Sequence, residues 1–169
     1  MKFLPSLLVT LASLLSGSLV AQIGFTKRTD LLTPANHYSG IAIGVTDVNG
    51  DGLDDIIRLN QGKELSVSYQ TAPNQPFTLQ ELESVSNESQ WGMCAADVDN
   101  NGYTDFMSGG SYDGIKFITA NEDGSVYNMV NMTAPQTFVQ NVNFADVNND
   151  GWLDAFVCHD DGVDRKSVV

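Results

Sequence analysis

The stretch DVNGDGLDDI at residues 47–56 places four carboxylates, one asparagine and two glycines within ten residues. Two later windows have the same form, DVDNNGYTD at residues 97–105 and DVNNDGWLD at residues 146–154, and all three fit D-x-[DN]-x-[DN]-G-x-x-D. Carboxylates about 5 Å apart repel each other by about 3 kcal/mol per pair at an effective dielectric constant of about 20. A loop that gathers them is therefore expected to need a cation.

The three windows recur at an even period. Their first aspartates, Asp47, Asp97 and Asp146, are 50 and then 49 residues apart, and ten of the 21 acidic residues lie inside the windows. One such window could arise by chance in an acidic chain, but three at one spacing form a repeat. Repeats of this length indicate a propeller or a solenoid.

Apolar residues alternate around the windows with the period of two that predicts β-strands. The alternating positions are Ile41, Ile43 and Val45 before the first window, and Phe138, Val142 and Phe144 before the third. Short apolar runs follow each window, and further strands are indicated at 65–69, 115–117 and 126–130. The sequence therefore predicts an all-β fold of β-propeller blades, about 50 residues each. The predicted blades are 37–89, 90–136 and an incomplete 137–169.

The chemistry of the windows favours a hard cation. They contain no cysteine or histidine, so their donors are oxygens, which suit calcium or magnesium better than zinc or copper. Positions 1, 3 and 5 can point inward, glycine at position 6 permits a left-handed turn, position 7 can offer its carbonyl and position 9 closes the site. Calcium tolerates this set better than magnesium, which prefers a stricter octahedron. Acidic turns without a metal are the alternative.

The windows are not EF-hand loops. An EF-hand requires glutamate at position 12 and a helix on each side. Position 12 is Arg58, Ser108 or Val157, and the flanks read as strands.

The windows and their strand context resemble the FG-GAP/VCBS repeat, the blade unit of the integrin alpha-chain head and of many secreted bacterial proteins. The resemblance covers residues 38–162 and implies that each loop joins two strands of one blade and binds calcium in a structural role. It implies up to three Ca²⁺ sites, with these side-chain or carbonyl ligands: Asp47, Asn49, Asp51, Leu53 and Asp55; Asp97, Asp99, Asn101, Tyr103 and Asp105; Asp146, Asn148, Asp150, Trp152 and Asp154. Asp54, at position 8, is expected to be a solvated extra charge.

The resemblance also implies a seven-bladed ring, whereas this chain carries two full repeats and part of a third. Exposed blade faces and open sheet edges would remain. We therefore expect a fragment of a longer protein or a truncated gene product. A small open array, or assembly from several chains, is the alternative.

The beginning of the chain reads as a secretory signal over residues 1–21, followed by a lead-in segment over 22–36. Lys2 gives the charged start, residues 7–20 are largely apolar, and the small Ala21 precedes Gln22. A membrane anchor is the alternative, but the run is short for a span. The formal charge of -13, from 21 acidic and 8 basic residues, argues against binding to nucleic acid or an anionic membrane. We expect a secreted or cell-surface protein.

No residue set in the sequence indicates catalysis. The candidates are His37, His159, Cys94 and Cys158, none of which has a recognisable catalytic context. The two cysteines could pair in an oxidising compartment, although buried free thiols are common in such apolar runs. Aromatic residues that could stack on sugars, but more commonly pack between blades, are Trp91, Tyr112, Tyr127 and Trp152.

Two functions follow from these observations. The first is a non-catalytic, secreted, calcium-binding propeller module for adhesion or for binding a protein or glycan. The second is the propeller portion of a secreted enzyme, such as a polysaccharide lyase or phospholipase, whose catalytic residues lie outside this chain.

Overall fold

A computed structural model describes residues 24–33, 42–132 and 137–160, together with the backbone of 166–168. Apart from one 3₁₀ turn at Thr29–Leu31, the regular structure of these residues is antiparallel β-sheet. The predicted all-β fold is confirmed. Three sheets form three successive blades, each built from strands that are neighbours in the sequence.

The first and second blades have the same four-stranded order, in which each strand pairs with the next along the chain. The first blade consists of β1 Ile43–Thr46, β2 Asp55–Asn60, β3 Glu64–Tyr69 and β4 Thr78–Ser84. The second consists of β5 Gln90–Ala96, β6 Asp105–Gly110, β7 Ile115–Ala120 and β8 Tyr127–Asn131. The third has β9 Val139–Ala145, β10 Asp154–His159 and β11 Lys166–Val168 in the order β11-β10-β9.

An apolar core joins the first blade to the second. Alternate residues of β2 and β3 point to one face of the sheet, as the pleat requires. Ile57, Leu59 and Val67 are fully buried there against Phe106 and Ile118 of the second blade. Complete burial of one such side chain contributes about 1.5–3 kcal/mol, so this layer fixes how the two sheets face each other.

A second core joins the second blade to the third. Met107 of β6 and Val139 of β9 are both fully buried in it. The backbones approach closely at two glycines. A Cβ atom added to Gly92 would lie 2.7 Å from the Asn141 Cα, and one added to Gly109 would lie 2.6 Å from a methyl of Val139. Larger residues at these glycines would push the third blade away from the second.

Two details of the predicted strands differ from the structure. Phe138 was expected to share a face with Val142, but Val139 occupies the core beside Val142 instead. The pairing of β9 with β10 shifts at Cys158/His159, and such a β-bulge reverses the parity of the strand. In β1, Ile43 and Val45 are exposed because Gly44 faces the second blade; the predicted Ile41 lies outside the described residues.

Candidate metal centre

The acidic loops occupy equivalent places in the three blades. They connect β1 to β2, β5 to β6 and β9 to β10, so each joins the first two strands of its sheet. Because corresponding strands run in the same sense, all three loops are at corresponding ends of their blades.

Each loop wraps around the carboxylate at its first position. Asp47 accepts hydrogen bonds from the backbone N–H groups of Gly50, Asp51 and Gly52, at 2.8, 3.1 and 2.7 Å. Asp97 and Asp146 accept the corresponding bonds from positions 5 and 6 of their own loops, at 2.9 to 3.1 Å. The repeated pattern shows that position 1 organises the backbone of the loop.

The turn needs left-handed backbone at two positions. The glycines at position 6 have φ of +85°, +89° and +91°, as predicted from the motif. Position 4 is also left-handed, with φ of +75° at Gly50, +59° at Asn100 and +61° at Asn149. We did not predict position 4, although its restriction to glycine and asparagine was a visible signal, because these residues tolerate that conformation best.

The carboxylate at position 9 joins the loop to a more distant strand. Asp105 is fully buried and accepts hydrogen bonds from Val98 N–H at 3.0 Å and Ala120 N–H at 2.8 Å. Asp55 is equally buried and accepts from Val48 and Gln70 at 3.0 and 2.8 Å. Position 9 therefore ties the start of the loop to the end of the third strand.

Burial raises the pKa of the Asp55 and Asp105 carboxyls. Their backbone donors oppose this effect, while the neighbouring aspartates of each loop reinforce it. In the third loop, Asp154 is only partly buried and accepts from Val147 N–H at 3.0 Å.

The second loop gathers three carboxylates. Single oxygens of Asp97, Asp99 and Asp105 all lie within 4.8 Å of one another. Of the residues that the structure describes, no other set of three acidic, histidine or cysteine side chains meets that distance. The first and third loops have asparagine at position 3, and their amide groups Asn49 and Asn148 donate to the carboxylate at position 5, at 3.2 and 2.9 Å.

The remaining predicted ligands lie in the same loops. The backbone N–H of Leu53, Tyr103 and Trp152 at position 7 donates to the side chain at position 5, at 2.8 to 2.9 Å. These bonds hold position 7 beside the position 5 side chains, which are Asp51, Asn101 and Asp150. Asp54 is exposed.

The first and second loops are hydrogen-bonded to each other. The hydroxyl of Thr104, at position 8 of the second loop, donates to the carbonyl of Asp47 at 3.0 Å, and Thr104 N–H donates to the Val48 carbonyl at 3.4 Å. The hydroxyl side chain is buried. This contact between loops was not predicted, because it depends on how the blades stack.

Antiparallel blades that each carry an acidic loop between their first two strands define a propeller-type repeat protein. The family profile described as the FG-GAP-like repeat matches residues 47–108 and again 97–157, which together span more than half of the chain. The chain belongs to this family. A search among curated proteins found no match. Within the described residues, no helix is both long and apolar enough to cross a membrane.

Proposed function

We propose that the three acidic loops bind Ca²⁺ and that the ions stabilise the blades. The observation that carries this proposal is the approach of three carboxylate oxygens from Asp97, Asp99 and Asp105 to within 4.8 Å of one another. All the donors in the loops are hard oxygens, which calcium prefers. When bound, the ion supplies two positive charges that relieve the repulsion among these carboxylates.

The residues of this chain fit such an ion in a specific way. In the first two loops, position 1 is fixed by the loop backbone and position 9 by the end of the third strand, so both carboxylates are held in place before a cation arrives. The proposed side-chain ligands are Asp47, Asn49, Asp51 and Asp55; Asp97, Asp99, Asn101 and Asp105; Asp146, Asn148, Asp150 and Asp154. The carbonyls of position 7 complete each set. Prearranged ligands reduce the entropy lost on binding.

The experiment is a thermal melt of the purified chain in calcium, in magnesium and in chelator. A ligand that binds only the folded state stabilises it by about 2.7 kcal/mol per site at 100 times its dissociation constant. We expect the melting temperature to rise in calcium and much less in magnesium. An identical melt in calcium and chelator, with β-structure present in the circular dichroism spectrum, would contradict the proposal.

We further propose that the protein is a secreted, non-catalytic module that binds a protein or glycan outside the cell. The Cys94 thiol is unsuited to nucleophilic chemistry because burial raises its pKa to about 12. His37 lies outside the described residues. Loops at the ends of blades are the usual place for recognition sites in such scaffolds.

Secretion has a separate test. If residues 1–21 are a signal peptide, the exported protein begins at Gln22, and its mass matches the chain without those residues. Recovery of the uncleaved chain from the cytoplasm or from the membrane fraction would contradict this proposal.

A further inference from the structure

Three aromatic residues, two of them exposed and one half-buried, form a cluster at the strand ends that lie away from the acidic loops. The ring centroid of Phe138 is 5.3 Å from that of Trp91 and 5.6 Å from that of Tyr112. Trp91 remains 37% exposed and Tyr112 56% exposed. We call Trp91, Tyr112 and Phe138 the aromatic platform. Grouped exposed apolar side chains with a polar rim mark interaction sites more often than scattered ones do.

Trp91 is held in a fixed orientation. It lies where the pairing of β5 with β6 shifts between Gln90 and Gly92, and β-bulges of this kind redirect a side chain. Its indole N–H donates to the hydroxyl of Ser111 at 3.2 Å. The indole ring is therefore presented to solvent without the freedom of an ordinary surface side chain.

The backbone at Tyr112 is strained. Its φ is +55°, in the left-handed region that glycine adopts most easily. The corresponding turn of the first blade, between β2 and β3, is one residue shorter and has left-handed backbone at Gln61 and Gly62, with φ of +50° and +74°. The conformation therefore does not require a tyrosine, since glutamine and glycine adopt it in the first blade. Strained residues of this kind concentrate at functional sites.

Two polar side chains border the aromatic platform. Gln140 donates its amide to the Asp160 carboxylate at 2.7 Å, and Asp160 N–H donates to the Phe138 carbonyl at 3.0 Å. Both side chains are exposed. An amide beside a carboxylate can bind neighbouring hydroxyl groups, since together they offer donors and acceptors. The net charge of -13 disfavours an anionic ligand.

We propose that the aromatic platform binds a neutral glycan built of pyranose rings. The C–H face of a sugar ring lies against Trp91 and Tyr112, while Gln140 and Asp160 bind its hydroxyls. Proline-rich peptides also pack on aromatic surfaces, but they carry no hydroxyls for this rim. The inference deepens the proposed recognition role and rests on it. It uses none of the proposed calcium ligands, so a failure to bind glycan and a failure to bind calcium are distinguishable.

The test uses the full natural chain, whose two tryptophans are Trp91 and Trp152, and the variant Trp91→Ala identifies the part of any emission change that comes from Trp91. Cellohexaose, mannohexaose, laminarihexaose and chitohexaose are titrated in calcium while tryptophan fluorescence is followed, and binding is confirmed by calorimetry. Polygalacturonate and decaproline serve as the anionic and peptide comparisons. We expect at least one neutral hexasaccharide to change the tryptophan emission saturably in the natural chain, and to change it far less in Trp91→Ala.

Two variants separate binding from folding. Trp91→Ala should weaken the affinity at least about tenfold, as expected for the loss of a stacking ring. Tyr112→Gly should weaken it similarly while the melting temperature stays within about 2 °C, because relief of the backbone strain offsets the lost ring contact. The inference is overturned if no neutral glycan binds at millimolar concentration, if decaproline binds in their place, or if both variants bind normally.

Discussion

Replacing Asp105 by asparagine tests whether the carboxylate at position 9 stabilises the fold in addition to its proposed role as a metal ligand. The buried carboxylate accepts two backbone hydrogen bonds, from Val98 and Ala120. An amide has a single carbonyl oxygen, so one of these donors loses its partner and meets an N–H₂ group. A lost hydrogen bond to a charged group costs about 1.5–3 kcal/mol. Burial raises the pKa of the Asp105 carboxyl because it disfavours the charged form, so replacing the carboxylate by a neutral amide offsets part of that cost.

We therefore expect Asp105→Asn to lower the free energy of unfolding by about 1–2 kcal/mol in chelator. At about 2–4 °C per kcal/mol for a chain of this size, the melting temperature falls by about 2–8 °C. In calcium the difference in melting temperature from the natural sequence should widen, because the second loop also loses a proposed ligand.

Asp99→Asn is the matched control for this measurement. Asp99 is exposed and accepts its hydrogen bonds from Asn101 within the same loop, at 3.1 and 3.4 Å. Its replacement removes one charge from the acidic cluster, so the melting temperature in chelator should stay the same or rise slightly, while the gain in calcium should fall. The stabilising role of the Asp105 carboxylate would be refuted if Asp105→Asn and the natural sequence had the same melting temperature in chelator. An undiminished calcium gain in Asp99→Asn would remove Asp99 from the ligands.

Three further predictions concern groups outside the proposed metal ligands. The Cys94 thiol, with a pKa raised to about 12 by burial, should react with a thiol reagent at neutral pH only after the chain unfolds. The pKa of Asp113 is lowered chiefly by the hydrogen bond from the Ser86 hydroxyl. Asp113→Asn should therefore destabilise the chain most above about pH 4, where the natural carboxylate is ionised. The difference in melting temperature between this variant and the natural sequence should vanish as the pH falls through the folded pKa of Asp113. Thr104→Val removes the hydrogen bond from the Thr104 hydroxyl to the Asp47 carbonyl and should lower the free energy of unfolding, measured in denaturant, by about 1 kcal/mol. An unchanged denaturation midpoint would show that this bond does not stabilise the chain.

The repeat and its strands could be predicted because they depend on local signals. Window spacing, period-two alternation and turn residues such as Asp113-Gly114 each act over a few residues. The left-handed turn at Tyr112 carried no such signal, because the turn between β6 and β7 is one residue longer than the turn between β2 and β3 and tyrosine does not favour this conformation.

The features that escaped prediction depend on register and stacking. The second hydrogen bond of Asp105 comes from Ala120, 15 residues away, and forms only in one register of β7 against β6. A β-bulge in β9 directs Val139 instead of Phe138 toward the core. It adds one residue to the strand, and no glycine or proline in the sequence indicates its position. Pattern reasoning assumes an uninterrupted pleat, so a bulge reverses every assignment on one side of it.

The hydrogen bonds around the acidic loops explain why a cation there would stabilise more than the loops themselves. In the first two blades, the carboxylate at position 9 accepts a hydrogen bond from the end of the third strand, and Thr104 donates one to the loop of the preceding blade. Repulsion among the carboxylates therefore destabilises both the strand register and the contact between blades. A cation that neutralised the carboxylates would stabilise both. The aromatic platform lies at the other ends of the strands, with β5 and β6 between it and the second loop. A six-residue strand extends about 20 Å, so the proposed calcium sites and the proposed glycan site use groups too far apart to share a ligand.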